Sequence, residues 1–120
     1  MMHTDLDVYN DSMRLVKLIY AVTNDFPREE VWGLTSQMKR AVTSIPINIA
    51  EGCGRKSRNE LLNYLNISLG SLTELITQLE IAFMLGFIKD SQQSATINEL
   101  ALAVKRQLIG LIRSNSRDNK

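Results

Sequence analysis

Positive charge is the one chemistry-bearing feature of this chain that recurs at short spacing. Lys39 and Arg40 are adjacent, and Arg55, Lys56 and Arg58 follow in the same central segment, Glu30 to Arg58. Ammonium and guanidinium groups gathered on one surface hold phosphate oxygens and displace the counterions of a nucleic acid, so that affinity falls with salt. In a ring of subunits such a patch is repeated and gains avidity. The same residues have a second use. Arg55 and Lys56 fall at an expected helix C-terminus, where the dipole favours cations, and Glu51 precedes Arg55 by the four residues of a helical ion pair. Lys39 and Arg40 then serve to solvate an outer face.

Other chemistries lack their parts. His3 is the single histidine and lies in a stretch expected to be mobile, so it assembles no Ser-His or Cys-His pair with ordered groups. The single Cys53 stands between Gly52 and Gly54. Arg55 and Lys56 would activate it somewhat, yet a small residue in a tight turn is the simpler reading. No Cys/His set or Glu-x-x-His pair points to a metal, and Gly52-Cys53-Gly54 lacks the lysine and hydroxyl residue of a phosphate-binding loop. No metal, no cofactor and no catalysis are expected. Trp32 has the face to stack on a base, but beside Val31 and Leu34 it reads better as an anchor in a protein interface.

Composition narrows the class. Lysine and arginine total 14 against 13 acids, for a net charge of +1, so any nucleic-acid binding must come from a local patch. Two prolines and six glycines are too few for an all-β chain rich in turns, and 120 residues make one domain. The lone cysteine rules out an internal disulfide, no signal peptide is visible, and the longest apolar run, Ile81 to Leu85, is far short of a membrane span. A cytoplasmic protein without a membrane partner is expected.

The elements that carry these residues are helices. Val8, Ser12, Leu15, Ile19, Val22 and Phe26 step by four and three, the seam of a bundle helix that Thr4 caps and Phe26-Pro27 ends. Pro27 is placed to open a second helix on Val31, Leu34, Met38, Ala41 or Val42, Ile45 and Ile49. Pro46 kinks that helix rather than ending it, and Gly52 and Gly54 stop it in the left-handed conformation. Ser57 to Glu60 is a capping box, after which Leu62, Leu65, Leu69, Leu72, Ile76, Leu79 and Phe83 run unbroken, widened by Leu61, Leu75 and Ala82, to a stop at Gly86-Phe87. A fourth helix starts near Asp90 or Ser91, with Thr96 and Glu99 as a second possible cap, and carries Ile97, Leu100, Val104, Leu108 and Leu111. Residues 114–120 form a frayed polar tail. The expected fold is all-α, an antiparallel up-down-up-down four-helix bundle in one domain.

Beside the apolar seams run small polar stripes. Helix two carries Gln37, Ala41, Ser44, Asn48, Glu51 and Arg55; helix three carries Asn63, Asn66, Gly70, Thr73, Thr77 and Glu80. Glycine inside a helix costs about 1 kcal/mol against alanine, so Gly70 points to close packing. A second copy of the chain is the preferred cause, with Trp32, Gln37, Ser44, Asn48, Asn66 and Gly70 as interface candidates and Pro46 and Gly52 as structural positions.

Phe26-Pro27, Gly33 to Gln37, Ser44-Ile45-Pro46, Asn48 to Gly52, and Gly70-Ser71 with Glu74-Leu75 resemble the bacterial family of four-helix-bundle proteins encoded in 23S rRNA intervening sequences, the S23 ribosomal protein family. The resemblance covers nearly the whole chain. It implies an antiparallel bundle and a homopentameric barrel. It also implies kinship with the accessory protein of diversity-generating retroelements, a basic pentamer that binds nucleic acid and a reverse transcriptase. The near-neutral charge of this chain departs from those basic relatives. The reading is a non-catalytic oligomer, pentameric by resemblance, that binds structured RNA or DNA through the edge carrying Lys39, Arg40, Arg55, Lys56 and Arg58. The alternative is a scaffold that recruits a protein partner without nucleic acid.

Overall fold

A computed structural model describes residues 2–117 and contains four α-helices: α1 (Asp7–Thr23), α2 (Leu34–Cys53), α3 (Arg58–Met84) and α4 (Ser91–Arg117). Each helix packs on its neighbours in sequence, and α1 also packs on α4, which closes an antiparallel bundle of 48 × 26 × 21 Å. No strand occurs among the described residues.

The α1 seam is where its periodicity puts it: Val8, Ser12, Leu15, Ile19, Val22 and Phe26 are all buried. Its start differs. Residues His3–Asp5 form a short 3-10 turn, Leu6 occupies the cap position, and no side chain caps the helix. Thr4 instead offers its carbonyl to Asn10 Nδ2 at 3.1 Å. Helix α2 begins at Leu34, seven residues after Pro27, because Arg28–Glu30 take a 3-10 turn and Gly33 breaks the backbone at φ −108°, ψ −115°, outside both the helical and the extended regions. Glu30 Oε1 accepts the Leu34 N–H at 3.1 Å and so caps α2 from outside it. Val31 is therefore half exposed, not a core residue.

Pro46 lies inside α2, buried, and the helix continues through it to Cys53. Next to this interruption the Ile45 carbonyl accepts the buried Ser68 hydroxyl at 2.7 Å, and Ser71 Oγ donates to Ser44 Oγ at 2.8 Å. Gly52 is not a left-handed stop, and neither is Gly54, which caps α2 at φ −85°. Gly52 is buried against α3. A Cβ there would stand 3.0 Å from Tyr64 Cβ, 3.1 Å from Leu61 Cδ1 and 3.3 Å from the Leu61 carbonyl. Ser44, Ile45 and Gly52 thus set a tight antiparallel register between α2 and α3.

Ser57 caps α3 as expected, its Oγ accepting the Glu60 N–H at 3.1 Å. Along α3 the buried line is Leu65, Ser68, Leu72, Leu75, Gln78, Leu79 and Ala82, while Leu62, Leu69 and Ile76 are half-buried and Phe83 is exposed. The stripe is rotated toward α2, where Ser68 reaches its backbone partner. Gly86 has φ 79°, the one positive value among the described residues. Gly86 N–H returns to Phe83 O, Phe87 N–H returns to Ala82 O at 2.9 Å, and Phe87 packs on Phe26. Asp90 Oδ1 caps α4 through Gln92 and Gln93, and the Thr96 hydroxyl turns back onto Gln92 O. Residues 114–117 of the expected tail are helical. Ser114 and Asn115 bond back to the Leu111 carbonyl and Ser116 to that of Ile112, which lets these polar residues continue the helix. Residues 118–120 lie outside the described residues.

Candidate nucleic-acid interface

The five cations singled out in sequence do not form one patch. Lys39 and Arg40 lie in the first half of α2, whereas Arg55 and Lys56 lie in the turn beyond its far end and Arg58 opens α3. Lys39 and Arg55 are sixteen residues apart, helical as far as Cys53, a separation of roughly 20–24 Å.

Lys39 and Arg40 join other residues. Two depressions, of about 360 and 500 Å³, share Tyr20 and Thr43 and make one groove between α1 and α2. Arg14 and Lys17 line it from α1, Lys39 and Arg40 from α2, and no carboxylate lines it. Met13, Val16 and Val31 add apolar surface to its lining. The Lys39 ammonium stands 4.8 Å from the centre of the Tyr20 ring. Arg14 donates to Asp11 at 3.1 Å in an exposed pair worth at most about 1 kcal/mol, weak enough to yield to a phosphate. Reading the cations along the chain misses Arg14, Lys17 and Tyr20. Their signal is a spacing of three residues on the face of helix one opposite its seam, together with the antiparallel register of a helical hairpin, which sets Tyr20 against Lys39.

The far cluster is built differently. Arg55 Nη2 donates to Glu51 Oε2 at 3.2 Å and to Tyr64 Oη at 2.8 Å, and its guanidinium lies 4.9 Å from the Tyr64 ring centre. The expected Glu51–Arg55 pair is therefore present. Arg58 is engaged by a neighbouring group. Cys53 is half-buried, and burial pushes its thiol above its ordinary value. Among the described residues no group of three or more His, Cys, Asp or Glu side chains is placed to hold a metal ion.

The interface candidates spread over the outer side of α2 and α3. Trp32 is 90% exposed, in the turn before α2. Gln37, Asn66 and Gly70 are exposed, and a Cβ on Gly70 would meet nothing within 4 Å, so this glycine answers no close contact inside the chain. Ser44 and Asn48 are half-buried and bonded together, Asn48 Nδ2 donating to Ser44 O at 2.8 Å. The α2–α3 register puts Ile47 and Ile67 at one level; they are 57% and 50% exposed.

No helix of the described residues is long and apolar enough to cross a membrane. The model of a family described as 23S rRNA-intervening sequence protein matches residues 4–110. Among solved structures the chain is similar to a protein with unknown function from the S23 ribosomal protein family of Bacteroides thetaiotaomicron VPI-5482. The two share 26% identity and a TM-score of 0.78, over 88% of this chain and 95% of that one. No curated protein matches the chain. Neither description names a catalytic activity.

Proposed function

We propose that this chain, which belongs to the 23S rRNA-intervening sequence protein family, is a non-catalytic oligomeric module that binds structured, rRNA-related nucleic acid through the α1–α2 groove. The observation that carries this reading is the meeting of Arg14, Lys17, Lys39 and Arg40 around Tyr20 with no carboxylate among the lining residues. Four cations facing one phosphate backbone supply the salt-dependent attraction that a net charge of +1 does not. A tyrosine among them offers a ring to an unpaired base.

Assembly into a ring, for which the family resemblance suggests five subunits, draws support from the outer side of α2 and α3. There Ile47 and Ile67 are exposed among Ser44, Asn48, Asn66 and Gly70, all uncharged. An apolar centre with little charge around it is the composition of an interface core.

Light scattering of the purified chain at low and high salt, with and without a structured rRNA fragment, tests both parts. The expected result is an oligomer that gains mass with RNA at low salt only. The binding constant should fall by roughly three to four log units per log unit of salt if all four cations of one subunit meet phosphate. Lys17→Glu with Lys39→Glu should lower that slope, and Lys56→Gln should leave it. A monomer, or an oligomer whose affinity ignores both salt and the groove substitutions, would overturn the proposal.

A second reading, a scaffold for a protein partner, is favoured by the exposure of Trp32 beside the half-exposed Val31. It predicts salt-resistant binding that is lost in Trp32→Ala.

A further inference from the structure

At the end of the bundle where α2 turns into α3, a cleft of about 320 Å³ opens between that turn, the stretch before α1 and the last turns of α4. Its floor is apolar: Leu6, Leu61 and Leu111 are half-buried, and Cys53 lies with them. Arg55, Lys56 and Arg58 stand around it, and no carboxylate lines it. Arg55 is held by Glu51 and Tyr64 through one nitrogen, Nη2, which fixes the plane of the guanidinium and leaves its other N–H groups to point elsewhere.

We propose that this cleft binds a small amphipathic anion, a single carboxylate or phosphate-monoester head on a short apolar body. The head meets Arg55 and Lys56, and the body covers Leu6, Leu61 and Leu111. Both halves are needed. A bare inorganic anion leaves the apolar floor in water, and a neutral apolar molecule covers cations without pairing them. The volume lies at the small end of the range that holds small molecules, roughly 300–1,000 Å³, and is far too small to take in a nucleic-acid duplex. The α1–α2 groove shares none of the lining residues, so this proposal stands independently of nucleic-acid binding.

Cys53, the single cysteine of the chain, reports occupancy from within the cleft. The rate of its alkylation by iodoacetamide is followed by intact mass in the full chain. It is measured with octanoate, octyl phosphate, acetate and octyltrimethylammonium, each below its micelle concentration. The expected result is a slowing of severalfold or more by octanoate, octyl phosphate or both, with none by acetate or octyltrimethylammonium; the better of the two octyl anions identifies the head. In Lys56→Gln, an exposed position, half-protection should need about tenfold more of that anion, the loss of about 1.4 kcal/mol of one charge-assisted contact. Protection by none of the compounds, equal protection by octyltrimethylammonium, or an unchanged half-protection concentration in Lys56→Gln would overturn the proposal.

Discussion

Gly52→Ala and Gly70→Ala are the same chemical change inside two neighbouring helices, and the structure assigns them opposite signs. Both gain helix propensity, about 1 kcal/mol in a helix interior and less at Gly52, which lies in the last turn of α2. Within the subunit nothing opposes that gain at Gly70, because the added methyl meets no atom of the chain within 4 Å. At Gly52 the methyl stands 3.0 Å from Tyr64 Cβ and 3.3 Å from the Leu61 carbonyl, atoms close to or part of the α3 backbone that cannot rotate away. Overpacking of this kind costs about 1–3 kcal/mol. Gly52→Ala should therefore lose about 1–2 kcal/mol net, and Gly70→Ala should gain up to about 1 kcal/mol. In a chain of this length these are shifts of roughly 3–10 °C down and up to about 3–5 °C up in Tm. Urea unfolding followed by far-ultraviolet circular dichroism, at one protein concentration, reads both. If Gly52→Ala proved neutral or stabilising, the close approach of α2 to α3 would not be what selects glycine there, and the tight-register account would fail. Gly70→Leu extends the test. It should leave the fold intact and lower the mass in solution, whereas an unchanged oligomer would remove Gly70 from the interface.

Ser68→Ala strips the buried Ile45 carbonyl of its 2.7 Å partner beside Pro46 and should cost about 1–3 kcal/mol in urea unfolding with an unchanged m value; a loss below about 0.5 kcal/mol would count against it. Ser57→Ala removes the α3 cap and should cost about 1 kcal/mol, while Ser57→Asp should restore it; equal loss in both would argue against capping. Burial raises the Cys53 thiol in the folded chain, so the folded state holds that proton to higher pH than the unfolded chain does. Its contribution to stability is complete below the ordinary thiol range and declines as pH rises through the raised value. Cys53→Ala should flatten that alkaline decline, and in the native chain iodoacetamide should react more slowly than with a free thiol at pH 8; a rate equal to that of an unfolded control would contradict the burial.

The bundle was legible because apolar spacing survives whatever the neighbours are: every seam residue of α1 is buried. On α3 the stripe was centred one line away from its observed place. Ser68 and Gln78 are buried and Phe83 is exposed; Ser68 fits there because its hydroxyl bonds the α2 backbone at Ile45, which hydrophobic spacing does not register. Pro27 looked like a helix start because its fixed φ suits one; the helix waits for Gly33, where the backbone breaks, and for the Glu30 carboxylate that caps Leu34. The cations of α2 were visible, but not their grouping. Proximity in sequence joined Lys39 to Arg55 across roughly 20–24 Å, and only the packing of α1 on α2 reveals Arg14, Lys17 and Tyr20 as the true neighbours of Lys39 and Arg40.

Trp32 is the sole tryptophan and is 90% exposed, which sets what the chain's own fluorescence can report. In the isolated subunit the indole is already in water, so its emission lies near that of the denatured chain and unfolding moves it little. A blue shift instead marks a molecule, a second subunit or a partner, settling over the turn before α2. The chain carries a built-in optical probe of encounter that is nearly blind to its own melting.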